Sequence, residues 1–172
     1  VEMGNVSFNS KDIPVSGTPR DVIDETMEAG GQTVRFCAAT IGNPHCIVPA
    51  TIVSPEETKS LGPHIEQHAL FPSRTNVQFM QVLDRRNLAV EIWERGAGYT
   101  LASGSSASAC AAVAYRLGMC DRAVAVHMPG GQLDITLDEN YGVTLSGRVA
   151  AVCSGSIHPD IYDSRPRIST PA

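Results

Sequence analysis

Lysine is scarce in this sequence. Among 172 residues only Lys11 and Lys59 occur, and both lie in polar, proline-flanked surroundings. Pyridoxal phosphate enzymes need a buried lysine to carry the Schiff base. We therefore expect any amino-acid chemistry here to run without that cofactor, and the sequence points to no other cofactor.

Cysteine pairs, aromatic side chains and long apolar runs are also lacking. The five cysteines show neither a CxxC motif nor a paired spacing, so a disulfide framework or a zinc cage is a poor interpretation. Aromatic residues make up 5% of the chain, the net charge is -5, and no basic run occurs, which excludes a typical nucleic-acid binder. No apolar stretch approaches the roughly 20 residues of a membrane span. We expect a cytoplasmic protein without a membrane partner.

The length of 172 residues suits one domain, which we expect to span residues 1–172. Residues 1–20 are rich in Ser, Pro, Gly and Asn, and this composition predicts a strand end followed by a linker. Gly30-Gly31 predicts a hairpin turn. A helix is expected from Pro55 to about Ala69, broken into two at Gly62-Pro63.

The stretch from Ser103 to Leu117 is small and apolar on almost every side, which is typical of a helix enclosed by other structure. Around it, period-two alternation predicts seven or so antiparallel strands, including Asn76–Val82, Leu88–Glu94 and a last strand from Val143 to Cys153. The predicted fold class is α+β, with a curled, mostly antiparallel sheet around a central buried helix. An open α+β sandwich with the helix on one face has comparable weight.

The start of that helix carries the densest group of functional residues. Glu94-Arg95 ends a strand, a glycine-rich turn follows, and small polar residues lead from Ser103 into the helix. Free backbone N–H groups and the helix dipole at such a start favour a carboxylate or a phosphate. A simpler interpretation has equal weight: Ser103 or Ser105 caps the helix, and the glycines only form the turn.

Two histidine-containing segments have simple structural interpretations. Gly42-Asn43-Pro44-His45 predicts a sharp corner in which the Asn43 side chain bonds to backbone. His64 and His68 lie four residues apart on a predicted helix, but no third ligand of fitting spacing stands out. The sequence therefore predicts no metal site.

Three runs match known family motifs in the same order. Gly42 to His45 matches Gly-Asn-Pro-His, and Arg74 to Gln81 matches Arg-x-Asn-x-x-Phe-x-Gln. Glu94 to Ser106 matches Glu-Arg-Gly-x-Gly-x-Thr-x-Ala-Cys-Gly-[Ser/Thr]-Gly. In these motifs the chain resembles the diaminopimelate epimerase family of cofactor-independent amino-acid epimerases, from Val1 to about Ile157.

The resemblance implies that the chain is the C-terminal half of a two-domain epimerase, with residues 1–20 as the crossover between the halves. Such an enzyme converts LL- to meso-diaminopimelate by removing the α-proton from one face and delivering a proton to the other. The expected partners are a small amino-acid substrate and the N-terminal half of the same protein, and a second copy of the chain, giving a homodimer, is a further candidate.

The resemblance also implies a substrate-binding set. Arg95 forks onto the distal carboxylate of the substrate, with Asn43 and Asn76 beside it. Gly104 and Ser105 present backbone N–H groups to the carboxylate at the reacting carbon.

The implied catalytic positions are Ser103, Glu94 and His45. Glu94 receives the substrate ammonium or orients the site, with His45 beside it. Ser103 stands where the family has its catalytic cysteine, and serine is far harder to ionise than a cysteine with a pKa near 8.5. Cys110 lies about two helical turns, or ~10 Å, further along the helix and is too deep to substitute.

Three alternatives follow from this departure. The protein is a one-cysteine epimerase that uses Ser103 as a weak acid; or it is a related isomerase, racemase or dehydratase for another small amino acid; or it is a ligand-binding paralogue without catalysis.

Overall fold

The computed structural model describes residues 1–162, so the last ten residues of the predicted domain lie outside the described part. Within residues 1–162 the fold has ten strands and two α-helices. The strands are β1 (Glu2–Asn5), β2 (Glu25–Ala29), β3 (Gln32–Thr40), β4 (Pro44–Pro49), β5 (Asn76–Asp84), β6 (Asn87–Glu94), β7 (Gly98–Thr100), β8 (Ala123–Met128), β9 (Gly131–Leu137) and β10 (Gly142–Ser146). The helices are α1 (Pro55–Glu66) and α2 (Gly104–Arg116), and a short 3-10 helix follows at Pro159–Tyr162.

The ten strands form one sheet that curls back on itself. Its order is β1-β10-β9-β8-β6-β5-β4-β3-β2, and β7 pairs with β6 only. All pairs are antiparallel except β4 with β5 and β6 with β8. Just beyond β1, the backbone groups of Ser7 and Thr40 exchange hydrogen bonds of 3.0 and 2.9 Å. This bridge joins the start of the chain to the end of β3 and brings the two sides of the curled sheet together.

Helix α2 fills the inside of this curl. It contacts β3, β4, β5, β6, β8, β9 and β10, and its residues from Ser106 to Ala114 are all buried. Their small side chains allow strands to approach the helix from several directions, which explains why this segment is alanine-rich. The predicted α+β fold with a central enclosed helix is confirmed, and the open sandwich is not.

A second apolar core lies on the outer face of the sheet. Strand residues such as Phe36, Val77 and Phe79 point away from α2 and pack with Leu61 and Ile65 of α1. Successive side chains along β3, β4 and β5 point to opposite faces of the sheet and therefore belong to two different cores. Both faces of this part of the sheet are apolar.

The predicted break in the first helix is wrong. Helix α1 runs through Gly62 and Pro63 without interruption and ends at Glu66, three residues before the predicted end. The lack of a side chain at Gly62 allows Trp93 to pack against the helix, since a Cβ atom at this position would lie 2.7 Å from Cγ of Trp93. Proline at position 63 leaves the carbonyl of Lys59, on the exposed part of the helix, without its intrahelical partner.

Other boundaries also differ from the expectations. The last predicted strand ends at Ser146 rather than Cys153, β7 lies within the predicted glycine-rich turn, and the two parallel pairs were not expected. The Gly30-Gly31 hairpin is confirmed, and Gly30 and Gly31 both have positive φ. Residues 1–20 are packed against the domain, with Val6 and Ile13 buried. Their role as a crossover stays a prediction.

Candidate functional site

Three neighbouring strands bring predicted site residues to one end of the curled sheet. β4 and β5 are parallel, with His45 opposite Asn76 near their starts. β6 runs antiparallel to β5, so its last residue, Glu94, lies at the same end. His45 is two residues before Ile47 and Glu94 two residues after Ile92, and both isoleucines face α2. Because strand side chains alternate, His45 and Glu94 are on the inner face as well.

The start of α2 lies at this same end, and it is uncapped. Ser103 has the extended backbone of an N-cap residue, but its hydroxyl makes no capping hydrogen bond, and the first turn has no acidic residue. Within the described residues the backbone N–H groups of Gly104, Ser105 and Ser106 donate no hydrogen bond. In α1, by contrast, Ser54 Oγ accepts from the Glu57 N–H at 3.1 Å. The start of α2 therefore keeps its positive end available for an anion.

Ser103, Ser105 and Asn43 form a short polar chain across the helix start. Asn43 Nδ2 donates to Ser105 Oγ at 3.4 Å, and Ser105 Oγ lies 3.4 Å from Ser103 Oγ. Because an amide nitrogen can only donate, Ser105 Oγ accepts from Asn43 and its own proton is free to point at Ser103. The Ser103 proton is then free to face outward. Both distances are at the long end for hydrogen bonds.

His45 is neutral in this structure. Its side chain is fully buried, and burial is the largest cause that lowers its pKa, to about 4; proximity to Gln78 raises the pKa and the charge of Arg95 lowers it further. His45 Nε2 lies 3.0 Å from Asn43 Oδ1. That oxygen only accepts, so the ring carries its proton on Nε2 and its lone pair on Nδ1. The geometry makes His45 an orienting group for Asn43.

Gln78 belongs to this network and was missed by the sequence reasoning. Its Nε2 lies 3.0 Å from Ser106 Oγ, in the first turn of α2. Two buried atoms, His45 Nδ1 and Gln78 Oε1, have no hydrogen-bond partner among the described residues. The Gln78 amide lies close enough to His45 to affect its pKa, and with its O and N exchanged, Oε1 accepts from the Ser106 hydroxyl. Gln78 occupies an unspecified position of the second matched motif, two residues after Asn76, so the motif gave no signal for it.

Asn76 and Arg95 are joined to each other and to backbone. Asn76 Oδ1 accepts from the Arg95 N–H at 2.9 Å, and Asn76 Nδ2 donates to Pro44 O at 3.0 Å. Arg95 is exposed, and one guanidinium nitrogen, Nη1, donates to Ser73 O at 2.9 Å. Its remaining N–H groups face no acceptor within the described residues. The Asn76 side chain thus fixes the backbone of the arginine, and the guanidinium is free to bind an anion.

The Glu94 carboxylate is half-buried and has no hydrogen-bond or ion-pair partner within residues 1–162. Only its backbone is engaged, in pairing with Gly98 and in a turn to Ala97. A carboxylate held at a strand end without a partner can accept a proton or bind a cation.

An open cleft of about 630 Å³ lies beside the helix start. Of the eight predicted site residues only Ser103 and Gly104 line it, together with residues of the β8–β9 turn and with Arg148. The other six lie outside its lining. Ser103 therefore stands between the cleft and the polar network of Asn43 and Ser105.

The four buried cysteines do not provide a thiolate at this site. Cys37, Cys46, Cys110 and Cys120 are buried, and burial raises the pKa of each, that of Cys120 to about 11. Cys153 is exposed in the segment after β10. The buried thiols are protonated at neutral pH, so they do not replace the cysteine that the family motif has at position 103.

Comparison with known proteins shows the family of this chain. The family model described as diaminopimelate epimerase matches residues 37–152. The chain belongs to the diaminopimelate epimerase family. It is 49% identical to diaminopimelate epimerase 2 of a Nostoc species over 162 residues, which cover 94% of this chain and 57% of that protein. It is 42% identical to the diaminopimelate epimerase of Caldanaerobacter subterraneus over 157 residues, or 91% of this chain and 57% of that protein.

The chain therefore spans little more than half the length of these relatives. Among solved structures, a hydroxyproline epimerase from Agrobacterium vitis with bound trans-4-hydroxy-L-proline is similar in fold, with a TM-score of 0.52 and 14% identity. That likeness covers 72% of this chain and 48% of the other.

The described residues show neither a cluster of metal ligands nor a membrane-spanning helix. Within residues 1–162 no group of three or more His, Cys, Asp or Glu side chains is arranged to hold a metal ion. In the same residues neither helix is long and apolar enough to cross a membrane.

Proposed function

We propose that the chain is the C-terminal half of a cytoplasmic, cofactor-independent diaminopimelate epimerase, which converts LL- to meso-diaminopimelate for lysine and peptidoglycan synthesis. The observation that carries this proposal is the uncapped start of α2 beside the strand ends of β4, β5 and β6. Family membership supplies the reaction class, and both relatives described above carry the name of that enzyme.

The free N–H groups of Gly104 and Ser105 would receive the carboxylate at the reacting carbon. Two adjacent backbone donors at the positive end of a helix stabilise an anion, and they stabilise it more as charge develops on the carboxylate during proton removal. The distal end of the substrate would lie against Arg95, whose unoccupied N–H groups can form a fork with a carboxylate. Asn43 and Asn76 complete this side.

Ser103 would supply the proton on this side of the substrate. A base in the other half of the enzyme takes the α-proton, and the electron pair of that C–H bond remains on the α-carbon and its carboxylate. The Ser103 O–H bond then breaks as its proton passes to the opposite face of the carbon. The Ser105 proton, free to point at Ser103 Oγ, supports the negative charge that develops on that oxygen. Glu94 would bind the substrate ammonium, and His45 would orient Asn43.

A second candidate is a binding protein of the same family that no longer catalyses proton transfer. The serine at position 103, together with the raised pKa values of the buried cysteines, favours it. An isomerase, racemase or dehydratase for another small amino acid remains the third candidate, because residues facing the rest of the substrate would lie in the other half.

The test is α-deuterium exchange in D2O by the full-length protein, with LL- and meso-diaminopimelate and a series of other amino acids. We expect exchange with diaminopimelate and its loss in Ser103→Ala. Ser54→Ala, which removes the cap serine of α1, is the matched control and should retain exchange. Tight binding without exchange would favour the binding protein, and exchange with a different amino acid alone would favour the related isomerase.

A further inference from the structure

A buried carboxylate outside the matched site residues holds the turn that carries Arg95. Glu66 is the last residue of α1, and only 6% of its side chain is exposed. Its Oε2 accepts from Trp93 Nε1 at 2.7 Å, and its Oε1 accepts from the Gly96 N–H at 3.0 Å and from Arg74 Nη1 at 3.3 Å. Three donors from different parts of the chain therefore converge on one carboxylate.

Each donor belongs to a segment that carries a predicted binding residue. Trp93 and Gly96 lie on either side of Glu94-Arg95, at the β6–β7 turn. Arg74 stands two residues before Asn76, and Ser73, its neighbour, offers the carbonyl that holds the Arg95 guanidinium. Glu66 thus joins the two segments between which Arg95 is held.

The chemistry of this contact requires a carboxylate. All three partners are donors, and a carboxylate presents only acceptors. Burial by itself raises the pKa of Glu66, but the hydrogen bonds from Trp93, Gly96 and Arg74 outweigh it, and the pKa is lowered overall. The group is therefore ionised at neutral pH, when its hydrogen bonds are strongest. An amide here would turn its NH2 group towards one of the donors.

We propose that Glu66 is the positioning residue for the Arg95 turn, fixing the backbone of Gly96 and the 73–76 segment so that the guanidinium meets the distal carboxylate of the substrate. The inference rests on the proposed function, in which Arg95 binds that carboxylate. Glu66 itself touches no substrate, and acts through Arg95.

The main test compares Glu66→Gln with Asp84→Asn in the full-length protein. Asp84 is a matched control because its carboxylate holds the β5–β6 turn, at the far end of the same strands, by accepting from the Arg86 N–H at 2.7 Å and from Asn87. We expect KM for diaminopimelate to rise about tenfold to a hundredfold in Glu66→Gln, the range for a charged hydrogen bond, with a smaller change in kcat. Asp84→Asn should leave KM within about twofold.

A double-mutant cycle separates positioning from general stability. If Glu66 acts through Arg95, then Glu66→Gln should add little to the rise in KM that Arg95→Lys already causes. Additive effects, or a lower melting temperature with unchanged KM, would overturn the proposal.

A measurement on the unmutated protein covers the case in which Glu66→Gln does not fold. Gly96 is exposed in a turn, so its amide should exchange with solvent freely unless Glu66 holds it. We expect slowed hydrogen exchange at Gly96, and a Trp93 indole N–H signal, assigned with Trp93→Phe, that is also protected. Free exchange at both groups would refute the positioning role. This measurement uses no substrate, so it stands even if diaminopimelate proves to be the wrong ligand.

Discussion

At the scale of the residue, the role of the Ser103 hydroxyl distinguishes an epimerase from a binding protein without catalysis. It lies at the positive start of α2, next to three free N–H groups, where a thiol would have a lowered pKa. If Ser103 simply replaces the cysteine that the family motif has at this position, Ser103→Cys should accelerate α-deuterium exchange of diaminopimelate in the full-length protein, because general acid–base help is worth about 10²–10⁴-fold.

The opposite result would mean that the serine serves a different reaction. In that case Ser103→Cys lowers the native activity and leaves exchange of diaminopimelate at background. Measuring both proteins with several amino acids distinguishes the two, and absence of exchange with every substrate in both proteins would favour the binding protein.

His45 makes the stability of the fold sensitive to mild acid. Its pKa is lowered from 6.5 to about 4 in the folded state, chiefly by burial. Between these pH values the unfolded chain binds a proton that the folded chain does not, so the contribution of His45 is complete above pH 6.5 and is lost as the pH falls towards 4. We expect the free energy of unfolding, measured with urea, to fall by about 2 kcal/mol from pH 7.5 to pH 5 through this residue.

The variant His45→Gln should remove that part of the pH dependence, even if it lowers stability at every pH. His64→Gln, which changes a histidine on α1, serves as the control and should keep the full slope. Equal slopes in the two variants would mean that His45 takes up its proton in the folded protein as readily as in the unfolded chain.

The sequence motifs located most of these residues but not their tasks. Asn43, Asn76 and Arg95 do lie at one end of the fold, as the motifs predict. The motifs did not indicate that Asn76 would be occupied by backbone, or that Gln78 would reach Ser106. Such contacts depend on which strands become neighbours, and the parallel pairing of β4 with β5 has no local signal in the sequence.

At the scale of the element, the two helices begin in opposite ways although a serine precedes each. Ser54 caps α1, with Glu56 and Glu57 in the first turn, whereas Ser103 leaves the first N–H groups of α2 unoccupied. We expect Ser54→Ala to lower the free energy of unfolding by about 1 kcal/mol. Ser103→Ala should change it by less than about 0.5 kcal/mol, because no capping bond is lost.

Thermal or urea unfolding of the two variants in parallel makes this comparison. A large loss of stability in Ser103→Ala would show that its hydroxyl caps α2 in solution, and the anion-binding role of the helix start would then lose its structural basis.

Helix α1 shows why local rules gave a wrong boundary. Gly62-Pro63 is a strong signal for a break, yet the helix continues, because the absence of a side chain at Gly62 lets Trp93 pack closely. Tertiary contact overrides propensity here. The continuous helix carries Glu66 to the β6–β7 turn, a tertiary contact that local rules do not predict.

At the scale of the whole molecule, the enclosed helix was predictable and the way the sheet closes was not. An alanine-rich helix without a polar face must be covered by other structure, which favours a curled sheet, although an open sandwich has comparable weight on the sequence alone. The closing contact between Ser7 and Thr40 joins residues that are far apart in sequence, and Ser7 belongs to the segment 1–20, whose composition predicts a linker. Composition reports local polarity, whereas closure depends on Val6 and Phe8, which are buried on the inner side.

The distribution of the site over one end of the molecule leads to a prediction for the 172-residue chain by itself. The groups that we propose to face the substrate all lie around the start of α2, and the chain spans 57% of each relative described above. Under the proposed function, inversion at carbon needs proton exchange on two opposite faces, so we expect a second set of groups across the cleft. We expect the isolated chain to fold, as judged by circular dichroism and the emission of Trp93, and to show no α-deuterium exchange with diaminopimelate under conditions in which the full-length protein does. Measurable racemisation by the isolated chain would refute the division of the site between two halves, and would require both proton-transfer groups to lie within these residues.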